Sequence, residues 1–494
     1  MKTHRYVGFD LGAESGRTVL GSLSGGRLEV KELTRFRNEM VRVERHLHWD
    51  IHRIFEELKA GLKACVSEAS AQPESVAVDT WGVDFALLGS DGRLLGLPYA
   101  YRDARTDGAL GAFFARVPRE RVYELTGIQM MQINTLYQLD TMARAASPVL
   151  EAAADLLFMP DALSYLFTGV KKTELTIGTT SQLYDPRRAC WAGELFEALG
   201  VSADIMQEIV PPGTVLGNVT EDVRRETGIG KAPVVATASH DTASAVAAVP
   251  AEGDDWACIS SGTWSVVGVE LPEPMITPET LAGDFTNEGG VAGTFRFLKN
   301  VTGLWLLNRC REAWSEARAM TYDELLEPAA SAAPFGAIID PDDGGFLNPP
   351  DMPEAIRQFC TRTGQAAPDE PAGMVRCILE SLALKYRYVL EQLRRVWPRP
   401  IRRLHVIGGG ARNRLLCQFT ADATGLPVVT GPVEATAVGN MLVQALALGH
   451  VGSLAEIREI VRASFELGRY EPRETGQWDR AYERLRTVIA TTCG

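Results

Sequence analysis

The chain has 494 residues, more than one hydrophobic core accommodates, which predicts about three ordinary domains or two large lobes. Apolar content of 46% with 23% charged residues is that of a soluble globular protein, and the formal net charge of −13 with no basic, aromatic-interleaved run argues against nucleic-acid binding. The eight cysteines stand singly, without a Cys-x-x-Cys or a metal-like Cys/His cluster, the N-terminal apolar run is cut by Asp10, and no stretch approaches spanning length; a cytoplasmic protein with reduced thiols and no membrane partner is expected.

The chain opens with two short apolar runs around the turn Asp10-Leu-Gly-Ala-Glu-Ser-Gly-Arg17, a hairpin whose glycines tolerate positive φ and let an anion approach the backbone. Arg27 to Phe36 reads as a further strand. Asp50 is a good N-cap for a helix carrying Ile54, Leu58, Leu62 and Val66 at helical spacing. Val76 to Leu88 reads as strand, break and strand around Thr80-Trp81-Gly82, so Asp79 and Asp84 either line a cavity at a sheet end or stand in solvent on a loop. Tyr101-Arg102-Asp103 and Arg105-Thr106 form either a hydroxyl-binding loop or a surface charge cluster. Helices are predicted over much of 107–169, with Asp161 after Pro160 capping one of them.

Val234 to Ala238 is a buried-type strand that runs into Ser239-His240-Asp241-Thr242-Ala243-Ser244 and a small-residue helix, placing Asp241 at a strand-to-helix junction where α/β proteins concentrate chemistry. Asp241 is therefore a helix cap with His240 an interior histidine, or a reacting group. A second hairpin follows, Trp256 to Val269 around Ser260-Ser261-Gly262-Thr263, and its likeness to the first suggests a duplicated lobe. Asn287 to Gly290 and Lys299 to Gly303 are polar turns, the latter leading into a helix with Leu304, Leu307 and Trp314. The stretch 327–353, rich in Pro, Gly and Asp, reads as irregular connection, and 371–396 as a long amphipathic helix. Leu404 to Ile407 is a strand delivering Gly408-Gly409-Gly410, three glycines that permit a flat ring to lie on bare backbone. Val428 to Thr430 and Glu434 to Leu448 close the chain as strand and small-residue helix. No phosphate-binding Gly-x-x-x-x-Gly-Lys-Ser/Thr loop occurs, since Gly228-Ile-Gly230-Lys231 lacks the hydroxyl residue, and no Gly-x-Gly-x-x-Gly follows a strand.

With these stretches in order, the chain resembles the FGGY carbohydrate kinases of the actin-like ATPase superfamily over nearly its whole length. The resemblance rests on Asp10 to Arg17, Asp79-Thr-Trp-Gly-Val-Asp-Phe85, Tyr101 to Asp103, Ser239 to Ser244, Ser260 to Ser265, Thr286 to Gly290, Leu298 to Asn300 and Gly408 to Gly410. It implies an α/β fold of two actin-like, ribonuclease H-like lobes, roughly 1–245 and 246–494, with an interdomain cleft. It also implies ATP and Mg²⁺ as cofactors and a ketose substrate, L-rhamnulose first, with L-fuculose or xylulose as alternatives. By the same resemblance Ala13, Glu14, Ser15, Gly16, Arg17 and Thr263 hold ATP phosphates, and Gly410 or Gly409 lies under the adenosine. Gly82, His240, Asp241, Thr242 and Asn300 bind the sugar, Asp241 is the catalytic base, and Asp10 meets the magnesium through water. Asn308 stands where the family places a nucleotide-contacting Gln, so that contact is shorter or absent. Glu14 puts a carboxylate in the phosphate turn, a cost unless it points outward or meets the metal. From a different class, a non-catalytic actin-like ATPase would need no base at Asp241.

Overall fold

The computed structural model describes residues 2–67, 71–315, 320–473 and 475–492. Cys493 lies outside them, and every other cysteine is a free thiol. Backbone contacts group the chain into two compact units: 1–250 with 270–297 and 435–465, and 251–269 with 298–434 and 466–494. Whereas the sequence reading divides the chain once, at 245/246, these units exchange segments, and the chain passes between them five times.

In the first unit the sheet is built from β1 (His4–Leu11), β2 (Ser15–Ser24), β3 (Arg27–Arg37), β4 (Ser75–Thr80), β5 (Thr214–Asn218) and β6 (Pro233–Ala236), in the order β5-β6-β4-β1-β2-β3. β1 and β4 run parallel, with Asp10 beside Asp79 in register, while β1 and β2 form the first hairpin. Central position explains why β1 is apolar on both faces: Tyr6, Val7, Phe9 and Leu11 are all fully buried. The helix α1 (Ile51–Ser67) starts where Asp50 accepts the Arg53 N–H at 3.0 Å, and its Ile54, Leu58 and Leu62 face the core. A second helix, α2 (Asp241–Ala247), follows β6 and crosses the returning helix Ala435–Ala447 at Gly439. A Cβ on Gly439 would stand 1.8 Å from the Ser244 carbonyl oxygen, so the close crossing requires glycine.

Two sequence expectations change here. Asp161 is not a cap: Phe158 holds the N-cap position of its helix, and Asp161, buried in the first turn, accepts the Glu174 N–H at 3.1 Å. Asp241 is the first helical residue rather than the N-cap, which is His240.

In the second unit the hairpin strands are β7 (Trp256–Ser261) and β8 (Trp264–Leu271). The long helix α3 (Pro371–Val396) coincides with its predicted span, and β9 (Arg403–Ile407), α4 (Arg414–Thr424), β10 (Val428–Thr430) and β11 (Gly468–Tyr470) complete the α/β layer. Its sheet runs from the strands Thr286–Gly289 and Phe295–Thr302 through β8, β7, β9 and β10 to β11. The irregular connection begins later than its composition suggests, because Thr321 caps a helix Tyr322–Ser331 that carries Pro328 inside it. Among the described residues no helix is long and apolar enough to cross a membrane.

Candidate active site

In the first unit the C-terminal ends of β1, β4 and β6 bring Asp10, Asp79 and Asp241 toward one another. Asp79 is fully buried, and its carboxyl is pushed well above the ordinary range, first by burial and then by the charges of Asp10 and Asp241, against a hydrogen bond from Asn440. Asn440 Nδ2 donates to Asp79 Oδ2 at 2.6 Å, whereas Asp79 Oδ1, buried, has no hydrogen-bond partner among the described residues. The Arg17 guanidinium is committed to Asp10, with Nη2 at 2.6 Å and Nε at 3.0 Å from Oδ2. The hairpin turn closes on a bond from Gly12 N–H to the Ser15 carbonyl at 2.9 Å, while Asn38 Nδ2 donates to the Gly12 carbonyl at 2.9 Å. Glu14 is exposed, so its carboxylate is solvated and the electrostatic cost is avoided. Gly16 admits no side chain: a Cβ there would lie 2.3 Å from the Phe36 ring.

Asp241 is half-buried at the start of α2. Its Oδ1 accepts the Thr242 N–H at 2.5 Å and the Thr242 hydroxyl at 3.1 Å, and His240 Nε2 is 3.4 Å away; no described residue donates to Oδ2. The junction ahead of it is clamped. Ser239 N–H donates to Glu174 Oε2 at 3.1 Å, His240 N–H to Thr176 Oγ1 at 3.1 Å, and Ser244 Oγ to the Ala238 carbonyl at 2.7 Å. Behind His240 lie two residues to which the sequence reading gave no role. Glu288 Oε2 is 3.2 Å from His240 Nδ1 and 3.1 Å from Arg296, and Arg296 Nη2 is also 3.2 Å from that Nδ1. Burial raises the Glu288 carboxyl, but the Arg296 and His240 charges, with a hydrogen bond from His240, outweigh it and hold the group down at about 2. His240 Nδ1 either donates to Glu288 or accepts from Arg296, and both pairings fix the imidazole with Nε2 facing Asp241. Glu288 falls inside the quoted Thr286–Gly290 stretch; a buried charge there is legible only once Arg296 is seen beside it.

Gly82 faces this group: a Cβ would meet His240 Nε2 and Thr180 at 3.4 Å. The break containing Gly82 is held from beneath by Asp84, which is fully buried rather than solvated. Its Oδ2 accepts from Trp49 Nε1 at 2.6 Å, Trp81 Nε1 at 2.9 Å and Tyr101 N at 3.1 Å, and its Oδ1 from Gln138 Nε2 at 3.0 Å. Burial still pushes this carboxyl up to about 6. Tyr101 and Asp103 are likewise buried, Asp103 accepting from Leu47 N at 2.7 Å, so the surface reading of that loop does not hold.

The remaining sequence-derived residues belong to the second unit. The turn of the β7–β8 hairpin closes on Gly262 N–H to the Trp264 carbonyl at 2.9 Å, and its carbonyls accept from the next helix start: Leu304 N–H to Gly262 O at 2.9 Å and Trp305 N–H to Thr263 O at 3.2 Å. Gly303 permits this docking, since a Cβ would be 2.7 Å from Gly262 O. Asn300 is half-buried on the strand Phe295–Thr302. Asn308 Oδ1 accepts the Tyr322 hydroxyl at 2.8 Å. In the triple-glycine turn, Gly408 has φ +80° and Gly410 would place a Cβ 2.0 Å from Ser261 Oγ, so both are glycine to pack against β7. Gly409 has nothing within 4 Å of its Cβ position and is exposed; of the three it alone presents open backbone.

A two-unit α/β protein with a glycine turn in each hairpin and an aspartate at a strand-to-helix junction fits a phosphotransferase of the actin-like class. The N-terminal domain of the FGGY family of carbohydrate kinases matches residues 5–248 and its C-terminal domain residues 257–448, and the chain belongs to that family. It is a carbohydrate kinase. The chain is 50% identical over 98% of its length to the rhamnulokinase of Bacteroides thetaiotaomicron, 99% of which is covered. It is also 41% identical over 97% of its length to that of Pectobacterium carotovorum, 96% covered. Among solved structures, gluconate kinase and ligand-bound xylulose kinase from Lactobacillus acidophilus share the fold, each with a TM-score of 0.83 over 99% of this chain and 98% and 99% of theirs, at 17% and 16% identity.

Proposed function

We propose that this chain transfers the γ-phosphoryl group of ATP to O1 of L-rhamnulose, giving L-rhamnulose 1-phosphate in L-rhamnose catabolism, with Asp241 as the general base. The observation that carries the substrate is the 50% identity over nearly the full length to a relative named rhamnulokinase. What supports the base is its setting. Thr242 and His240 occupy or face Oδ1, which fixes the carboxylate and leaves Oδ2 to take the proton from the attacking hydroxyl. Glu288 and Arg296 orient His240, and Gly82 leaves room above it for a sugar.

The donor set fits a hard divalent cation: Asp10, Asp79 and Asp241 are oxygen ligands whose mutual repulsion a cation relieves, and the buried Asp79 Oδ1 has no partner among the described residues. Bound Mg²⁺ would neutralise charge on the transferring phosphoryl group, with Asp10 and Asp79 as the residues that hold it through water. The turn Ala13 to Arg17 and Thr263 are the proposed phosphate contacts. Because Arg17 is engaged by Asp10 and Glu14 is solvated, the first turn acts chiefly through its backbone and Ser15. Gly409 is the better candidate than Gly410 for the surface under the adenosine, since Gly410 is filled by Ser261.

A coupled ADP assay over L-rhamnulose, L-fuculose, D-xylulose, L-ribulose and glycerol tests the reading. L-Rhamnulose should give the highest kcat/KM; another winner replaces the substrate and keeps the chemistry. ADP release without dependence on any sugar would return the chain to a non-catalytic ATPase.

A further inference from the structure

At the opposite end of the first unit's sheet, three side chains remote in sequence meet. His4 opens β1, Glu74 precedes β4, and His450 follows the helix Ala435–Ala447. One ligand atom from each lies within 4.8 Å of the other two, and all three residues are half-buried. His4 Nδ1 is 3.2 Å from both oxygens of Glu74, and His450 Nε2 is 3.6 Å from Glu74 Oε2. At zinc–ligand distances of about 2.0–2.1 Å, two ligands of a tetrahedron stand about 3.3–3.4 Å apart. The observed spacings bracket that value. The two imidazoles lie close, centroids 3.7 Å apart and planes tilted by 32°, and each directs a ring nitrogen toward the same carboxylate.

The surroundings match those of a metal ligand set. The Tyr6 hydroxyl is 2.8 Å from His450 Nδ1, which occupies that nitrogen and turns Nε2 toward Glu74, the outer hydrogen bond that ligating histidines use to fix their orientation. When Nδ1 donates to Tyr6, Nε2 presents a lone pair to an anionic oxygen, an arrangement a cation completes. The cation now beside Glu74 is Lys2, 3.7 Å away on an exposed side chain that is free to swing out.

We propose that His4, Glu74 and His450 form a binding site for a borderline first-row divalent cation, of which Zn²⁺ is the representative, with water in the fourth position. Two imidazoles and one carboxylate suit such an ion and not Mg²⁺, which prefers six oxygens. Its role is structural. The site ties the start of β1 and the entry to β4 to the segment 435–465, which returns to this unit after most of the second unit has been traversed; a clip across so long a loop restricts the unfolded chain strongly. Asp10 lies about 20 Å further along β1 at about 3.3 Å per residue, so this site is separate from the kinase chemistry.

The test is calorimetric titration of the EDTA-stripped full-length protein with ZnCl₂, paired with CoCl₂ titration followed by visible absorption. One equivalent of Zn²⁺ and the intense absorption of four-coordinate Co²⁺ are expected, with a rise in Tm on Zn²⁺ addition. His4→Gln and His450→Gln should each weaken binding at least tenfold and abolish the Tm rise, and Tyr6→Phe should weaken it about tenfold. Unchanged kinase activity with excess Mg²⁺ shows that the variants fold; should one fail, Glu74→Gln serves in its place. Binding equal in wild type and variants, a weak octahedral Co²⁺ spectrum, or binding lost only in Cys190→Ser, the exposed thiol, overturns the site.

Discussion

The two hairpins share a backbone design and differ in what stands behind them. Each closes a glycine turn with a hydrogen bond of 2.9 Å, Gly12 to Ser15 in one and Gly262 to Trp264 in the other. The unit of the first holds buried ionisable groups, Asp79, Asp84, Glu174 and Glu288, each held by named donors. Behind the second lie Ser261, Ser265 and the close-packed Gly303, Gly408 and Gly410, with Ser265 Oγ 2.7 Å from the buried Tyr386 hydroxyl and no carboxylate in the turn. In the proposed function one frame serves two ends: charge where a proton and a cation are managed, and neutral, closely approachable backbone where the nucleotide is held. If so, kcat and pH dependence belong to the first unit and the KM for ATP to the second.

The largest effect expected is at Asp241. In Asp241→Asn the side-chain oxygen can still accept from Thr242, so the fold and sugar affinity (within roughly tenfold) should persist while kcat falls about 10²–10⁴-fold. A coupled ADP assay with calorimetry for sugar binding reads both; a nearly full kcat removes the base and the comparison with it.

Next in size is Thr263→Val. Loss of a hydrogen bond to a charged phosphate should raise the KM for ATP about tenfold, with kcat and the KM for sugar changed less than about twofold. Equal shifts in both KM values would move the second hairpin away from the nucleotide.

The pH dependence of stability is a subtler test. Burial pushes the Glu174 carboxyl up to about 7 despite hydrogen bonds from Thr176, Ile177 and Ser239. The folded state therefore holds that proton more tightly than the unfolded chain. The resulting stabilisation is fully present below the ordinary value of 4.5 and is lost as pH rises through about 7. Asp84 acts in the same direction up to about 6, whereas Glu288 acts oppositely, its contribution present above 4.5 and lost as pH falls toward about 2. Thermal melts from about pH 4.5 to about pH 7.5 should show Tm falling with pH, and Glu174→Gln should flatten that slope whatever it does to the absolute Tm. An unchanged slope would mean Glu174 is ionised throughout.

The smallest effect is expected at Asn308. Its amide is engaged by Tyr322, so Asn308→Gln, one methylene longer, should change the KM for ATP by no more than about threefold, within the worth of one neutral hydrogen bond. A larger change would make this position a nucleotide contact in its own right.

Much of the molecule was legible in the chain itself. Both hairpins, the helix capped by Asp50, the span 371–396 and the strand-to-helix junction at Asp241 follow from local periodicity and turn chemistry, which a window of ten to twenty residues contains. What tertiary structure alone decided are features made by residues distant in sequence. In sequence Asp79 fits a cavity wall and a solvated loop equally well, and Asn440 against it decides for burial, while Glu288 has no role until Arg296 and His240 close around it. Asp161, a plausible cap by its neighbours, serves the Glu174 backbone instead. The three glycines at 408–410 look alike in sequence, yet only the approach of Ser261 separates two packing glycines from one open to a ligand. The units likewise trade segments because a strand's partners are set by hydrogen bonding across the sheet, and a parallel neighbour can come from any point in the chain. Local sequence fixes which backbone conformations are cheap; which buried charges become affordable depends on partners that only folding brings within about 3 Å.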